Sequence, residues 1–364
     1  MRTLVISDLH LGNRAGNDVL QVPAARARLF DALDDVERLV LLGDTMELIT
    51  RHPQRLAARA EPVIRAIGQR LGPDREVIVV PGNHDAPLIR AWALAQGPRL
   101  QPSTVVGPGA TPSLDRLLSW LAPARTRVSY PGVWLGEGVW ATHGHYLDRH
   151  LLPESAFGIP RGLLRRAVPG TALPIEYERR RHRRSRGRRS AARDWFGTRL
   201  MARPVGTLLE GAAELLRTAT MPHVPQLMMD GGLAPVTARL LDTQMRRASI
   251  PAMALVVRRL GVRADWVLFG HVHRRGPVGD ERWPAPRAAG EAGGIRFANT
   301  GSWVFDPLLV DRAAPPHPYW PGGAVLLEDG RPPRSLGLLD DLDGDDLRPP
   351  GWPTTEGKSG FPDL

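Results

Sequence analysis

Short, unbroken apolar runs recur at the start of the chain and again near position 266. Thr3–Ser7, Leu39–Leu42, Val77–Val80 and Trp266–Phe269 read as β-strands. Between the early runs, Ala24–Asp35 and Gln54–Leu71 space their apolar residues at helical intervals, and Pro87–Gln96 predicts a further short helix. Gly107–Pro112 is rich in Pro and Gly and reads as a loop. Val128–Tyr130, Val133–Leu135 and Val139–Thr142 predict short strands. From about Tyr146 to Val262 the pattern changes to helix with breakers and no clear strand, and the core pattern resumes at Asp265. Ile295–Ala298 predicts a strand, and Ala324–Glu328 pairs with Ser335–Leu338 as a hairpin across Asp329-Gly330. The chain therefore divides into core (1–145), a helical insert (146–262), core again (263–339) and an acidic, Pro/Gly-rich tail (340–364) expected to be disordered.

Polar residues capable of chemistry sit where these runs end. Asp8-Leu9-His10, Gly43-Asp44-Thr45-Met46-Glu47, Gly82-Asn83-His84-Asp85 and Gly270-His271-Val272-His273 each directly follow a predicted strand, and His143-Gly144-His145 follows Val139–Thr142. In layered folds ligands bind at the carboxyl ends of strands, so separate loops can bring these groups into one cluster. The donors are carboxylate, imidazole and neutral amide. The chain has no Cys, and oxygen and nitrogen donors suit divalent Mn, Fe, Zn or Co. Two such ions about 3.5–4 Å apart can clamp the attacking and leaving oxygens of a phosphoryl displacement and make hydroxide available near neutral pH. Asp44, just past a glycine that permits a tight turn, fits a carboxylate that touches both. Singly, a His-x-His or Asn-His-Asp loop is mostly a solvated or turn feature, and Asp8 or Asp44 after a strand reads equally as a helix N-cap; the order of the motifs and their placement at strand ends carry the joint reading.

The set resembles the calcineurin-like metallophosphoesterase superfamily, whose pattern is DxH, GDxx(D/E), GNH(D/E), HG and GHxH; all five blocks are matched in order over Asp8 to His273. The resemblance implies an α/β fold, a four-layer αββα sandwich of two mixed sheets with an inserted helical cap. It implies that Asp8, His10, Asp44 and His273 hold one metal, and Asp44, Asn83, His143 and His271 the other, with Mn the expected ion. The implied reaction is in-line attack of a metal-bridging hydroxide on phosphorus. His84 would contact the phosphate and protonate the leaving oxygen, and Asp85 would orient His84. His145 is expected behind a ligand or beside the substrate, and Asn299, in the segment Asn299–Trp303, to line the pocket. His150 and His223 are expected to be ordinary surface residues. Ile6–Gly12, Glu47 and the helical insert are also similar to the bacterial UDP-2,3-diacylglucosamine pyrophosphohydrolase branch. That branch usually carries Arg where this chain has His84, so its lipid substrate is not carried over.

Composition narrows the function class. With 42% hydrophobic and 24% charged residues the chain is globular. It enters a strand directly after Met1-Arg2 without a secretory leader pattern, and it has no apolar run long enough to span a bilayer. A cytoplasmic protein is expected, with peripheral contact to an anionic membrane as one option. The net charge is +10 and Lys358 is the only lysine; arginine on this scale, with abundant Ala, Gly and Pro, points to a GC-rich bacterial genome as much as to a binding preference. The densest basic run is Arg179, Arg180, Arg181, Arg183, Arg184, Arg186, Arg188 and Arg189. Such a run is either a solvated loop or an anion-binding surface for a phosphorylated substrate, an anionic membrane or a nucleic-acid backbone. Apolar stretches beside it, such as Ala234–Leu260, would form a lid. The expected function is a metal-dependent phosphoesterase. The alternatives are a nuclease of the same fold, disfavoured by the scarcity of aromatics in the run, and a non-catalytic scaffold, disfavoured because no ligand position is lost.

Overall fold

The computed structural model describes residues 1–13, 15–49, 53–151, 170–179, 245–286, 294–310 and 313–348. The first half runs β1 (Arg2–Ile6), α1 (Pro23–Asp34), β2 (Arg38–Leu41), α2 (Pro53–Leu71), β3 (Glu76–Val79), α3 (Ala86–Gln96), β4 (Thr104–Val106), α4 (Pro112–Trp120) and β5 (Arg125–Tyr130). It continues with β6 (Gly132–Gly136), β7 (Val139–Thr142), α5 (Ile250–Arg259), β8 (Trp266–Phe269), β9 (Arg275–Gly276) and β10 (Pro284–Pro286). The last elements are β11 (Gly294–Thr300), α6 (Pro307–Val310), β12 (Gly323–Glu328) and β13 (Arg334–Gly337).

The apolar runs lack polar alternation because each strand is covered on both faces. Leu4 and Ile6, Leu39 and Leu41, and Val77 and Val79 join one core with Leu29, Ile64, Leu88 and Leu117 of α1 to α4. The residues between them, Val5, Val40, Leu42, Ile78 and Val80, meet Val133, Ala141, Leu268 and Ala298 in a second core. On the far side Trp140, Val267, Phe269 and Phe297 form a third core with Met253, Val256 and Val257 of α5. Three apolar layers separate four structural ones: helices, sheet, sheet, helix. Each fully buried Val or Leu contributes about 1.5–3 kcal/mol, so the period-two alternation sets which side chains enter which layer.

The first sheet has seven strands in the order β13-β12-β1-β2-β3-β5-β4. β1, β2, β3 and β5 are parallel, and β12 runs antiparallel to β1. The second sheet has the order β10-β11-β8-β7-β6, with β9 pairing β11 beside that path; β8 is parallel to both β7 and β11. Both sheets are therefore mixed, as expected. The parallel strands present their carboxyl ends together, and this is the edge at which the motifs emerge.

Three expectations need correction. α5 fell inside the expected insert and lid, but its apolar face packs on the second sheet, so it is a layer of the sandwich. Residues 340–348, expected to begin a disordered tail, are packed: Leu347 is buried and Asp340 pairs with Arg275 at 2.9 Å. The hairpin turn is longer than Asp329-Gly330, since the last ladder pair is Leu326↔Arg334; Pro332 and Pro333 lack the N–H a ladder needs. The sequence pattern does not predict the single turn α6 or the longer helix α4. Thr111 caps it by accepting from the Leu114 N–H at 3.2 Å, with Pro112 in its first turn. Arg179 is exposed at the end of a helical turn at 174–179, while Arg180–Arg189 and His223 lie outside the described residues. Among the described residues no helix is long and apolar enough to cross a membrane.

Candidate metal centre

The loops after β1, β2, β3, β7 and β8 are tied together by their backbones before any side chain is considered. Asp8 N–H donates to Gly43 O at 3.0 Å, His10 N–H to Asp44 O at 2.8 Å and Gly270 N–H to His143 O at 2.9 Å. Two motif glycines explain themselves by close approach. Gly43 sits at φ +91°, and a Cβ there would overlap the His143 ring; a Cβ on Gly270 would overlap Ser7 and Asp8. Among the described residues, the non-glycine positions at positive φ are Asp8, His10, Asp44, His271 and His273. Each such conformation costs about 1–3 kcal/mol and persists only where the surroundings impose it, a cost that collects at functional sites.

These loops bring together three groups of donors: Asp8, His10 and His273; His10, Asp44 and His84; and Asp44, His143 and His271. Asp44 Oδ2 lies 3.1 Å from His143 Nε2 and 3.9 Å from His10 Nε2, so one carboxylate oxygen faces both sides of the cluster. Asn83 Oδ1 is 3.1 Å from His143 Nε2. His273 Nε2 lies 3.2 Å from Asp8 Oδ1 and 3.2 Å from His10 Nε2. The other Asp8 oxygen, Oδ2, accepts from His271 N–H at 2.9 Å and from the Ser7 hydroxyl. Ser7 is itself 2.5 Å from Thr300 Oγ1. That leaves Oδ1 buried without a hydrogen bond of good geometry.

The residues fit divalent metals. Oxygen and nitrogen donors converge in a buried cleft, with the orphaned Asp8 oxygen turned into it. The carboxylates and imidazoles of the cluster bias one another's charge. Burial opposes charge on Asp44, yet His143 beside it holds the carboxyl well below the usual range. Burial likewise opposes a proton on His143, but the charges of Asp44 and Asp8 win and raise its pKa to about 9.

Glu47 and Asp85 have separate jobs, and one differs from expectation. Asp85 does not reach His84. Its carboxylate accepts the backbone N–H groups of Thr45 at 3.0 Å, Met46 at 2.9 Å and Gly82 at 3.3 Å, bracing the second loop against the third. Burial and the neighbouring charge of Asp44 push Asp85 up to about 6. The partner of His84 is Glu47, whose Oε2 lies 2.6 Å from His84 Nδ1 and 3.3 Å from His10 Nδ1. Burial works against the Glu47 charge, but hydrogen bonds from the two imidazoles bring its pKa down to about 2. The reciprocal effect, against burial, lifts His84 to about 9. The His84 ring stands edge-on to His10 at 4.7 Å, and its side chain is 30% exposed.

The remaining candidates surround the cluster. Asn299 is fully buried and acts within the loops, donating to Gly270 O at 2.7 Å and accepting from Gly301 N–H at 3.0 Å. His145 is buried with its ring 5.6 Å from that of His143 and its Nε2 3.9 Å from Glu178 Oε1. His150, expected at the surface, is buried, with Nε2 3.0 Å from the Tyr177 hydroxyl. Asp148 was not singled out by sequence, yet its Oδ1 lies 3.0 Å from His271 Nε2. The only sequence cue was an acid five positions beyond His143.

Residues 1–166 match the family model of the calcineurin-like phosphoesterases. The match takes in the first four motifs and ends before β8. No curated protein matches the chain. With the convergent His/Asp groups, the match supports a metal-dependent phosphoester hydrolase in general terms.

Proposed function

We propose that this chain hydrolyses a phosphate ester or pyrophosphate bond with two divalent metal ions, Mn foremost, at the carboxyl ends of β1, β2, β3, β7 and β8. The observation that carries the reading is the Asp44 oxygen placed between two sets of histidines, with Asp44 and four other donors of the cluster on strained backbone. Asp8, His10, His273 and Asp44 would hold one ion; Asp44, Asn83, His143 and His271 the other. When bound, the metals supply Lewis acidity at the phosphoryl group and a nucleophilic water near neutral pH. His84 keeps its Nδ1–H on Glu47, which leaves Nε2 to face the substrate. Two nearby cations would pull its pKa down from about 9 toward neutrality, where an imidazolium serves best as a general acid for the departing oxygen. Asp85 and Asn299 hold the loops and touch no reacting atom.

Arg179 is exposed where the basic run begins; we read the run as a contact for a phosphorylated substrate, and no observation favours the nuclease reading over it. The test is a screen of the Mn-loaded protein against mono-, di- and pyrophosphate esters, lipid-linked ones included, together with His84→Ala. The variant should retain both metals and lose about 10²–10⁴-fold in turnover on poor leaving groups, and much less on a nitrophenyl ester. Equal losses on both substrates would make His84 a phosphate-positioning group, and no hydrolysis of any ester by wild type would overturn the reading.

A further inference from the structure

The ring of His271 meets a carboxylate that belongs to none of the five motifs. Asp148 Oδ1 lies 3.0 Å from His271 Nε2. An exposed ion pair at this distance would contribute little, but Asp148 is presented from an anchored backbone. It sits on a short 3-10 turn, His145–Arg149. In that turn Leu147 N–H donates to Gly144 O at 3.0 Å, and just beyond it His150 N–H donates to Leu147 O at 2.8 Å. Leu147 is buried. Tyr146 donates its hydroxyl to Glu178 Oε1 at 2.7 Å and stacks on Tyr177 at 4.5 Å. The turn is therefore locked on both flanks, and the Asp148 carboxylate is delivered to one place.

A neutral imidazole carries one proton on two nitrogens. An Nε2–H donated to Asp148 leaves Nδ1 with its lone pair. His271 converges with Asp44 and His143, whereas Asp148 is not part of that group, so the carboxylate meets the ring from outside the cluster. We propose that Asp148 is a positioning residue that fixes His271 as the Nε2–H tautomer and turns Nδ1 toward the metal position shared with Asp44 and His143. This rests on the two-metal reading above. A carboxylate behind a ligating histidine sets ring orientation and raises its basicity, and losing one costs about 10–100-fold in metal affinity or activity.

The test is a zinc titration of the metal-free full-length chain against a chromophoric chelator, for wild type, Asp148→Ala and Asp148→Asn. Wild type should take up two ions; if it takes up none, the two-metal reading fails before this inference is reached. Asp148→Ala should weaken one ion by about 10–100-fold and leave the other unchanged. Asp148→Asn keeps a side-chain oxygen that accepts from Nε2–H and should recover most of the loss. In the zinc-loaded wild type, nitrogen-15 NMR of labelled histidine should show His271 protonated at Nε2 and metal-shifted at Nδ1. Full affinity for both ions in Asp148→Ala would overturn the proposal. So would an Asn variant as weak as the Ala variant, which would make Asp148 a direct ligand. Metal on Nε2 of His271 would overturn it even if neither variant folds.

Discussion

The two ends of the first sheet are both rich in charge and differ in how that charge is used. At the amino ends of β1, β2 and β3 lies an open groove of about 620 Å³ bordered by Arg2, Asp34, Glu37, Arg70 and Arg75. Its charges are spent on the fold. Arg70 pairs with Asp34. Arg75 donates to Leu33 O at 2.6 Å and Leu71 O at 2.7 Å, and also to Arg70 O, so one guanidinium caps the last carbonyls of both α1 and α2. At the carboxyl ends, acids and imidazoles converge on one another from strained backbone, and Asp8 Oδ1 meets His273 at 3.2 Å without a hydrogen bond of good geometry. Charge is common to both ends. Carboxylates and imidazoles converging at metal-ligand spacing occur, among the described residues, at the carboxyl ends, and this convergence sets the candidate site apart.

The sharpest way to break this contrast is Asp44→Ala. If one carboxylate serves both metals, elemental analysis should find one ion or none, and turnover should fall by at least about 10⁴-fold, comparable to losing a key catalytic group. Two tightly held ions in the variant would end the shared-ligand assignment.

A smaller effect should appear with pH. Metal must displace the proton that metal-free His143 holds up to about pH 9, so apparent affinity should rise with pH by about tenfold per unit for each proton displaced, levelling near pH 9. The stability of the metal-free protein should move the other way. The folded pKa of His143 exceeds its unfolded value of about 6.5, so its contribution is complete below that value and is lost as pH rises through about 9. Metal affinity flat between pH 6 and 9 would show that His143 is not displaced from a protonated state.

The smallest effect belongs to the other end. Arg75→Ala should leave metal content and turnover at wild-type values and lower stability by roughly 1–3 kcal/mol, the range for uncapped carbonyls, measured by denaturant unfolding. A loss of metal from this variant would mean that the two ends are coupled.

Much of the layer structure was legible along the chain because a strand covered on both faces shows as an unbroken apolar run, and Val5, Val40 and Ile78 need only that pattern to find the inter-sheet core. The periodicity that predicts α5 leaves its layer open for a related reason. A helix that packs on the outer face of a sheet and a helix in a lid carry the same periodicity, and only its contact with Trp140 and Phe269 separates them. The tail was read from acidic composition, which cannot register that Asp340 meets Arg275.

The identity of the clustered residues followed from the chain alone, since donor chemistry and placement after strands are local properties. Which carboxylate backs which histidine is not local. Asp85 is adjacent to His84 in sequence, yet the turn spends its oxygens on backbone N–H groups of the preceding loop, and Glu47 reaches His84 from another strand end. Asp148 reaches His271 across more than a hundred residues of chain. Hydrogen bonds depend on direction and on distances of about 3 Å, and such distances between separate loops exist only once the sheets have stacked and their carboxyl ends face the same cleft.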